Sequence, residues 1–308
     1  MVYAILLFIS LFPVIFIAGL LYLMDKEKEK FGAMIKYYLL GLLSAVIAVI
    51  AEVVLGLIIP SSETNLLLIG IQAFLVIAAS EELAKFACLK LGLLFEKSYD
   101  NFYDSIIFAT AVSLGFAGIE NVLYVLSSGQ FSVGIGTGLM RAFLAVPGHA
   151  IFAIYMGFFL DKAMEAKMKR KGRAGYYMLA IILPILLHGT YDFFCFSLTV
   201  VNTPIYLLMF VGYIVFMYIS GILLIVKGVK KSHITFNGST QNDINSNLYR
   251  QQYVGNVCCN CGKVINGSFC PYCGTFNQVQ QEPSTYKYCP RCGNYSGGTF
   301  CNRCGCRL

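Results

Sequence analysis

Ala79-Ser80-Glu81-Glu82-Leu83-Ala84-Lys85-Phe86 sets two adjacent carboxylates and an ammonium group inside an apolar run that begins near Asn65 and continues to about Phe95. A charge at the centre of a bilayer costs about 2.5–3.5 kcal/mol on insertion scales, so it is usually paired, turned toward other helices and tied to function. On a helix, Glu81 and Lys85 are four residues apart and Glu82 and Lys85 three, which puts all three on one face. The competing reading, a surface salt bridge on a cytoplasmic turn, would carry little energy and no chemistry. The spacing therefore predicts membrane helices arranged around this Glu-Glu-x-x-Lys cluster.

Working outward, the composition agrees. Of 308 residues 57% are hydrophobic and 13% charged, with a mean hydropathy of +0.69, whereas a soluble domain carries about twice that charged fraction. Seven apolar runs, at about 2–24, 34–59, 65–95, 103–127, 136–160, 176–200 and 204–226, reach the roughly 20 residues needed to span a bilayer. The expected fold class is an all-α polytopic membrane protein of about seven transmembrane helices with a small C-terminal tail. The first 24 residues lack a basic leader and a small-residue cleavage site and read as a retained helix rather than a signal peptide. Lys and Arg fill every second connection, after the first, third, fifth and seventh runs, and are missing from residues 60–65, 128–140 and 201–204. That alternation predicts a multi-pass cell-membrane protein with its N-terminus outside and its tail in the cytoplasm. It also explains the net charge of +7 without a nucleic-acid partner.

Residues 232–256 are polar and rich in Asn, Gln and Ser and read as a flexible linker. Beyond them Cys258-x2-Cys261-x8-Cys270-x2-Cys273 recurs as Cys289-x2-Cys292-x8-Cys301-x2-Cys304, displaced by 31 residues, with a glycine directly after the second and fourth cysteine of each copy. Paired CxxC knuckles bring four thiolates to one tetrahedral Zn²⁺ ion. A disulfide framework, the alternative, belongs to oxidising compartments rather than to a cytoplasmic tail. The expected organisation is a membrane domain at 1–231, the linker, and two zinc ribbons at 258–274 and 289–305 within 257–308, holding two structural Zn²⁺. Cys259 and Cys306 are left over. Four-thiolate sites are closed and structural, so the ribbons are expected to recognise a cytoplasmic protein partner, with Tyr272, Phe276, Tyr288 and Tyr295 as a contact surface. The tail's basic residues are scattered, which argues against nucleic acid.

Within the membrane runs the ionisable residues are Glu52, Glu81, Glu82, Lys85, Asp104, Glu120, Arg141, His149, His188 and Asp192. His188 and Asp192 lie four apart on one helical face, so the carboxylate can orient the imidazole. Glu120-Asn121 follows Gly115-Phe116-Ala117-Gly118, whose small residues permit close helix contact. His149 follows the Pro147-Gly148 break. Two histidines and several carboxylates on four helices suit water activation, in which a carboxylate takes the proton and a metal ion or imidazolium holds the oxyanion. Counting 1.5 Å per residue from the expected helix ends places Glu81, His149 and His188 near mid-membrane, Glu120 nearer the external side and Asp104 nearer the cytoplasm.

Glu81-Glu82-x-x-Lys85, Gly115-Phe116-Ala117-x-x-Glu120-Asn121, Arg141 with His149 and Gly157, and His188-x-x-x-Asp192 together resemble the PrsW family of intramembrane proteases, a branch of the superfamily that includes the CAAX-prenyl endopeptidases. The resemblance covers roughly residues 65–195. It implies an intramembrane endopeptidase acting on a membrane-tethered protein substrate, in some members an anti-sigma factor, with or without a catalytic metal, and it assigns the zinc-ribbon tail no function. The candidate catalytic residues are Glu81, Glu82, Lys85, Glu120, Asn121, His149, His188 and Asp192. Glu81 or Glu82 is the expected general base. His149 and His188 are expected to bind a catalytic divalent metal such as Zn²⁺, or to donate to the oxyanion directly. Glu120 is expected to be a third ligand or second acid, and Asn121 a donor to the tetrahedral intermediate. The alternative is a receptor or proton-coupled transporter with a zinc-ribbon relay, whose proton path would need Glu52 and Asp104.

Overall fold

In hydrocarbon each backbone N–H and C=O must find a partner inside the protein, so apolar runs of this length close their hydrogen bonds as helices. The computed structural model describes residues 2–25, 28–96 and 98–232 and, in the tail, 273, 286–288, 295–297, 303, 304 and 306. The chain divides into two compact units, residues 1–242 and 243–308. In the first, the helices are α1 (Val2–Met24), α2 (Phe31–Gly56), α3 (Leu66–Ile71), a π-helical segment (Gln72–Ala78), α4 (Ala79–Leu94), α5 (Asp104–Leu126), α6 (Phe131–Phe143), α7 (Ala145–Met168), α8 (Ala174–Ser197) and α9 (Pro204–Lys231). With α3 to α4 and α6 to α7 each taken as one span, seven helices among the described residues are long and apolar enough to cross a membrane.

Helix α5 is the axis of the bundle. It packs against α1, α2, α4, α6 and α7 and is buried from Asp104 to Gly118 without interruption, while α1, α2 and α9 turn Phe8, Ile15, Val49, Ile50, Leu208 and Phe216 outward as lipid-facing surface. Close approach of α2 to α5 depends on glycine, because a Cβ on Gly115 would lie 2.2 Å from the Tyr38 carbonyl oxygen. The start of α5 is capped from another helix. Asp161 of α7 accepts from the amides of Tyr103 (3.1 Å) and Ser105 (3.3 Å), satisfying donors that a helix N-terminus otherwise leaves bare. Asp104 accepts from the amides of Asp100 and Asn101, both at 2.8 Å, so this carboxylate organises the turn before its own helix. It stands 16 residues before Glu120, about 24 Å along α5.

Two local departures position the polar groups. The expected helix over 65–95 carries the π segment at Gln72–Ala78, directly ahead of the Glu-Glu-x-x-Lys stretch; such i→i+5 segments concentrate at functional sites. The expected fifth run, 136–160, is instead a 38-residue apolar span, Phe131–Met168, about 57 Å long if straight and too long for a hydrocarbon core of about 30 Å. The backbone breaks at Leu144. Pro147 has no N–H for the carbonyl four residues earlier, and that carbonyl, on Phe143, accepts from the Tyr218 hydroxyl of α9 instead. His149 thus lies four residues into α7 rather than at the middle of a helix.

In the second unit, strands β1 (Tyr286–Tyr288) and β2 (Tyr295–Gly297) form an antiparallel pair with Tyr286 opposite Gly297 and Tyr288 opposite Tyr295. Cys289 and Cys292 fall in the connection they enclose. The linker positions 233–256 and the expected zinc ligands Cys258, Cys261, Cys270, Cys289, Cys292 and Cys301 lie outside the described residues.

Candidate active site

The first turn of α4 carries Glu81 and Glu82, and the second carries Lys85. The Lys85 Nζ donates to Glu81 Oε2 at 3.0 Å and to Glu82 Oε1 at 2.8 Å, the i,i+4 and i,i+3 pairs that helical spacing dictates. Its third partner is His149 Nδ1 at 3.2 Å. The three contacts use all three N–H bonds of an ammonium group, and the same Nζ stands 3.9 Å from the centroid of the Phe116 ring. Lys85 and Glu82 are 1% exposed and Glu81 6%, so the mutual pairing is what makes these charges tolerable in an apolar interior.

Each imidazole turns one nitrogen inward and holds the other on a carboxylate. His149 presents Nδ1 to Lys85, and its Nε2 lies 2.8 Å from Glu120 Oε2. With Nδ1 accepting from the ammonium, Nε2 carries the proton donated to Glu120. His188 presents Nδ1 to Glu82 Oε1 at 3.0 Å and Nε2 to Asp192 Oδ2 at 3.3 Å. The two rings meet edge to face with centroids 5.2 Å apart, and Phe152 stacks on His188 at 4.8 Å. A carboxylate on the far nitrogen of each histidine is the arrangement that fixes metal-ligating rings.

The donor set suits a divalent cation. Glu81, Glu82, His149 and His188 are all buried, and one ligand atom from each lies within 4.8 Å of the others. Glu82 Oε2 is buried with no hydrogen-bond partner among the described residues, leaving a lone pair free for an ion. Carboxylate oxygens with imidazole nitrogens match zinc and other first-row divalent metals. Glu120 is not one of the four; it stands behind His149, where Arg141 Nη2 also meets it at 3.0 Å.

Asn121 holds the neighbouring framework. Its amide donates to the Ser10 carbonyl of α1 at 2.8 Å, and its Oδ1 accepts from Arg141 Nε at 2.9 Å. One of its two amide N–H donors is thereby committed within the protein. Arg141 is further packed over the Tyr124 ring at 4.2 Å.

These groups form one end of a cavity of about 530 Å³ between α2, α4, α5, α6, α7 and α8, lined by Glu81, Glu120, Arg141, His149, His188 and Asp192 and otherwise mostly by apolar side chains. Val46, Val49, Ile50 and Phe196 line it while also being exposed on the outer surface, so it opens to the side of the bundle. Glu52 lines it from α2. Glu82, Lys85 and Asn121 do not line it, and Asp104 belongs to the far end of α5. Seven of the eight candidate catalytic residues thus gather in one connected network, with Asn121 joined to it through Arg141. Residues that give no signal in the sequence also build it. Ser113 donates to the His149 carbonyl at 2.8 Å, and Phe152 walls the rings together with Phe116 of the quoted glycine motif; nothing in the spacing of Ser113 or Phe152 separates them from ordinary packing positions.

Residues 29–219 match the family described as PrsW family intramembrane metalloprotease. Three curated relatives, each called Protease PrsW, are similar to this chain. The protein from Oceanobacillus iheyensis is 34% identical over 65% of this chain and 88% of its own length. Those from Geobacillus kaustophilus and Clostridioides difficile are 34% and 31% identical, over 75% and 73% of their lengths and 58% and 57% of this chain. No solved structure matches.

Proposed function

Since the chain belongs to the PrsW family of intramembrane metalloproteases and is an intramembrane protease, we propose that it cleaves a membrane-tethered protein at the cavity end formed by Glu81, His149 and His188. The observation that carries this reading is their convergence. Carboxylates and imidazoles from three spans meet in a cavity that is apolar elsewhere and open at its side. Glu81 is the general base, because of the two adjacent carboxylates it alone lines the cavity. Glu82, His149 and His188 would hold the metal, three protein ligands that leave a coordination position open. When bound, the ion would supply Lewis-acid polarisation of the scissile carbonyl and a more acidic water. Glu120 and Asp192 orient the two rings through their outer nitrogens. Arg141, held by Asn121, presents its guanidinium to the cavity as a donor to the substrate carbonyl, the task the sequence suggested for Asn121 itself.

The finer reading continues from the charge pattern. Connections with Lys and Arg lie in the cytoplasm together with the tail, and the N-terminus lies outside. The tail is a pair of structural zinc ribbons that engage a cytoplasmic protein. The β1–β2 hairpin, with the Cys289-x2-Cys292 knuckle in its connection, supports that. The substrate is a single-span regulator of the anti-sigma-factor type that the family resemblance implies.

The Glu81→Gln variant of the folded, inserted protein tests the base assignment against a single-span substrate. General-base catalysis contributes about 10²–10⁴-fold, and a loss of that size is expected. Undiminished cleavage would remove Glu81 from the mechanism, and persistence after Glu82→Gln as well would end the carboxylate-base reading.

A further inference from the structure

We propose that the Lys85 ammonium is a built-in counter-cation that must leave the Glu81–Glu82–His149 donor set before a divalent metal ion can bind there, so that metal loading and the position of Lys85 are mutually exclusive. The inference rests on the reading that Glu82, His149 and His188 hold the metal. Nζ makes its three contacts, at 2.8–3.2 Å, to three of the four residues whose ligand atoms cluster within 4.8 Å. The decisive atom is His149 Nδ1. Nε2 of this ring is engaged by Glu120, so Nδ1 is the nitrogen left to serve the cluster. A neutral imidazole has one lone pair on its unprotonated nitrogen, and Nδ1 cannot accept from Lys85 and ligate an ion at once. The carboxylates point the same way. A metal ion sits about 2.0–2.2 Å from a carboxylate oxygen. With the ion on the free Oε2 of Glu82, an ammonium on the neighbouring Oε1 would be a like charge in close opposition, in surroundings that screen little.

The displaced group has somewhere to go. The Phe116 ring already lies 3.9 Å from Nζ and also lines the cavity. A cation resting on an aromatic face needs no hydrogen-bond acceptor, and the four-carbon stem of lysine allows the swing. Loading would therefore send Lys85 from a position 1% exposed toward the space where a substrate lies.

Mn²⁺ binding to the full-length chain in detergent, read by the loss of the free-ion resonance signal, tests this. Mn²⁺ prefers carboxylate and imidazole donors and is poorly suited to the thiolates of the tail. Lys85→Met should bind Mn²⁺ at least about tenfold more tightly than the unsubstituted chain, in the range usual for coupled sites. Lys85→Arg, which keeps the cation, should bind as weakly as the unsubstituted chain. Equal or weaker binding by Lys85→Met, or binding by Lys85→Arg as tight as that of Lys85→Met, overturns the proposal while the metal-holding reading stands. Absence of Mn²⁺ binding in every version overturns both. In the unsubstituted chain, which needs no altered residue to fold, Mn²⁺ should raise labelling of Lys85 by a small amine-reactive reagent, measured by peptide mass spectrometry. Unchanged labelling at saturating Mn²⁺ also overturns it.

Discussion

Glu120 accepts from two partners on two other elements, His149 of α7 at 2.8 Å and Arg141 of α6 at 3.0 Å, and in the proposed mechanism this makes it a positioning residue rather than a group that meets substrate first. Its charge matters in two ways: it balances the guanidinium, and it holds the ring of His149 with Nδ1 inward. Glu120→Gln keeps an acceptor of the same shape but removes the anion. Loss of such an outer partner typically costs 10–100-fold in metal affinity or activity, and about that fall is expected in cleavage of a single-span substrate in detergent. Glu120→Ala, which lets the ring turn, should fall further. Equal losses for the two variants would mean that charge, not ring orientation, is what Glu120 contributes.

The elements carry these residues to their places, and they do so with different degrees of legibility. The break between α6 and α7 depends on the Tyr218 hydroxyl, which serves the Phe143 carbonyl that Pro147 cannot. Tyr218→Phe leaves that carbonyl without its partner, which should cost about 1–3 kcal/mol, seen as a lower thermal midpoint in detergent. At the other end of the bundle Glu96, just past α4, pairs with Lys36 of α2. Burial alone would raise the Glu96 carboxyl, but hydrogen bonds from Lys36 and from Ser98 outweigh it and hold it below the ordinary carboxylate range. A depressed folded value means that this contribution is present above the unfolded carboxylate value near pH 4.3 and is lost as the pH falls through the folded one. With Lys36 40% exposed, solvent screening keeps the effect below about 1 kcal/mol. Acid titration of the thermal midpoint should show a shallower loss below about pH 4 in Lys36→Met than in the unsubstituted chain. The spans are legible in the sequence because a bilayer rewards about 20 apolar residues and little else. Glu81 with Lys85, and His188 with Asp192, are legible because helical spacing alone brings them together. Glu120 and His149 are not. They are 29 residues apart on opposite sides of the Leu144 break, and the depth count sets Glu120 nearer the external side than His149, although the two meet. The π segment is equally silent, since its residues read as ordinary apolar helix.

At the scale of the whole molecule, the matched family region stops at residue 219, short of the cysteine repeat, and the chemistry proposed for the cavity uses no residue of the tail. A chain ending at Lys231 should therefore keep its intrinsic cleavage of a peptide in detergent, while the full chain should carry two more tightly held zinc ions than the shortened one, released by a thiol-modifying reagent. Metal analysis of the two side by side checks this, and loss of peptide cleavage from a shortened chain that remains folded would bring the tail into the active site. The sheltered course of α5 has a consequence for how the protein is made. Its polar side chains Ser113, Glu120 and Asn121 leave the ribosome before Arg141 and His149, their partners, exist to receive them. During synthesis the nascent α5 must wait in the insertion machinery or beside α1 and α2 until α6 and α7 follow. A chain arrested between Leu126 and Phe131 would expose an unmatched carboxylate to lipid, and such products should be the ones that membrane quality control removes first.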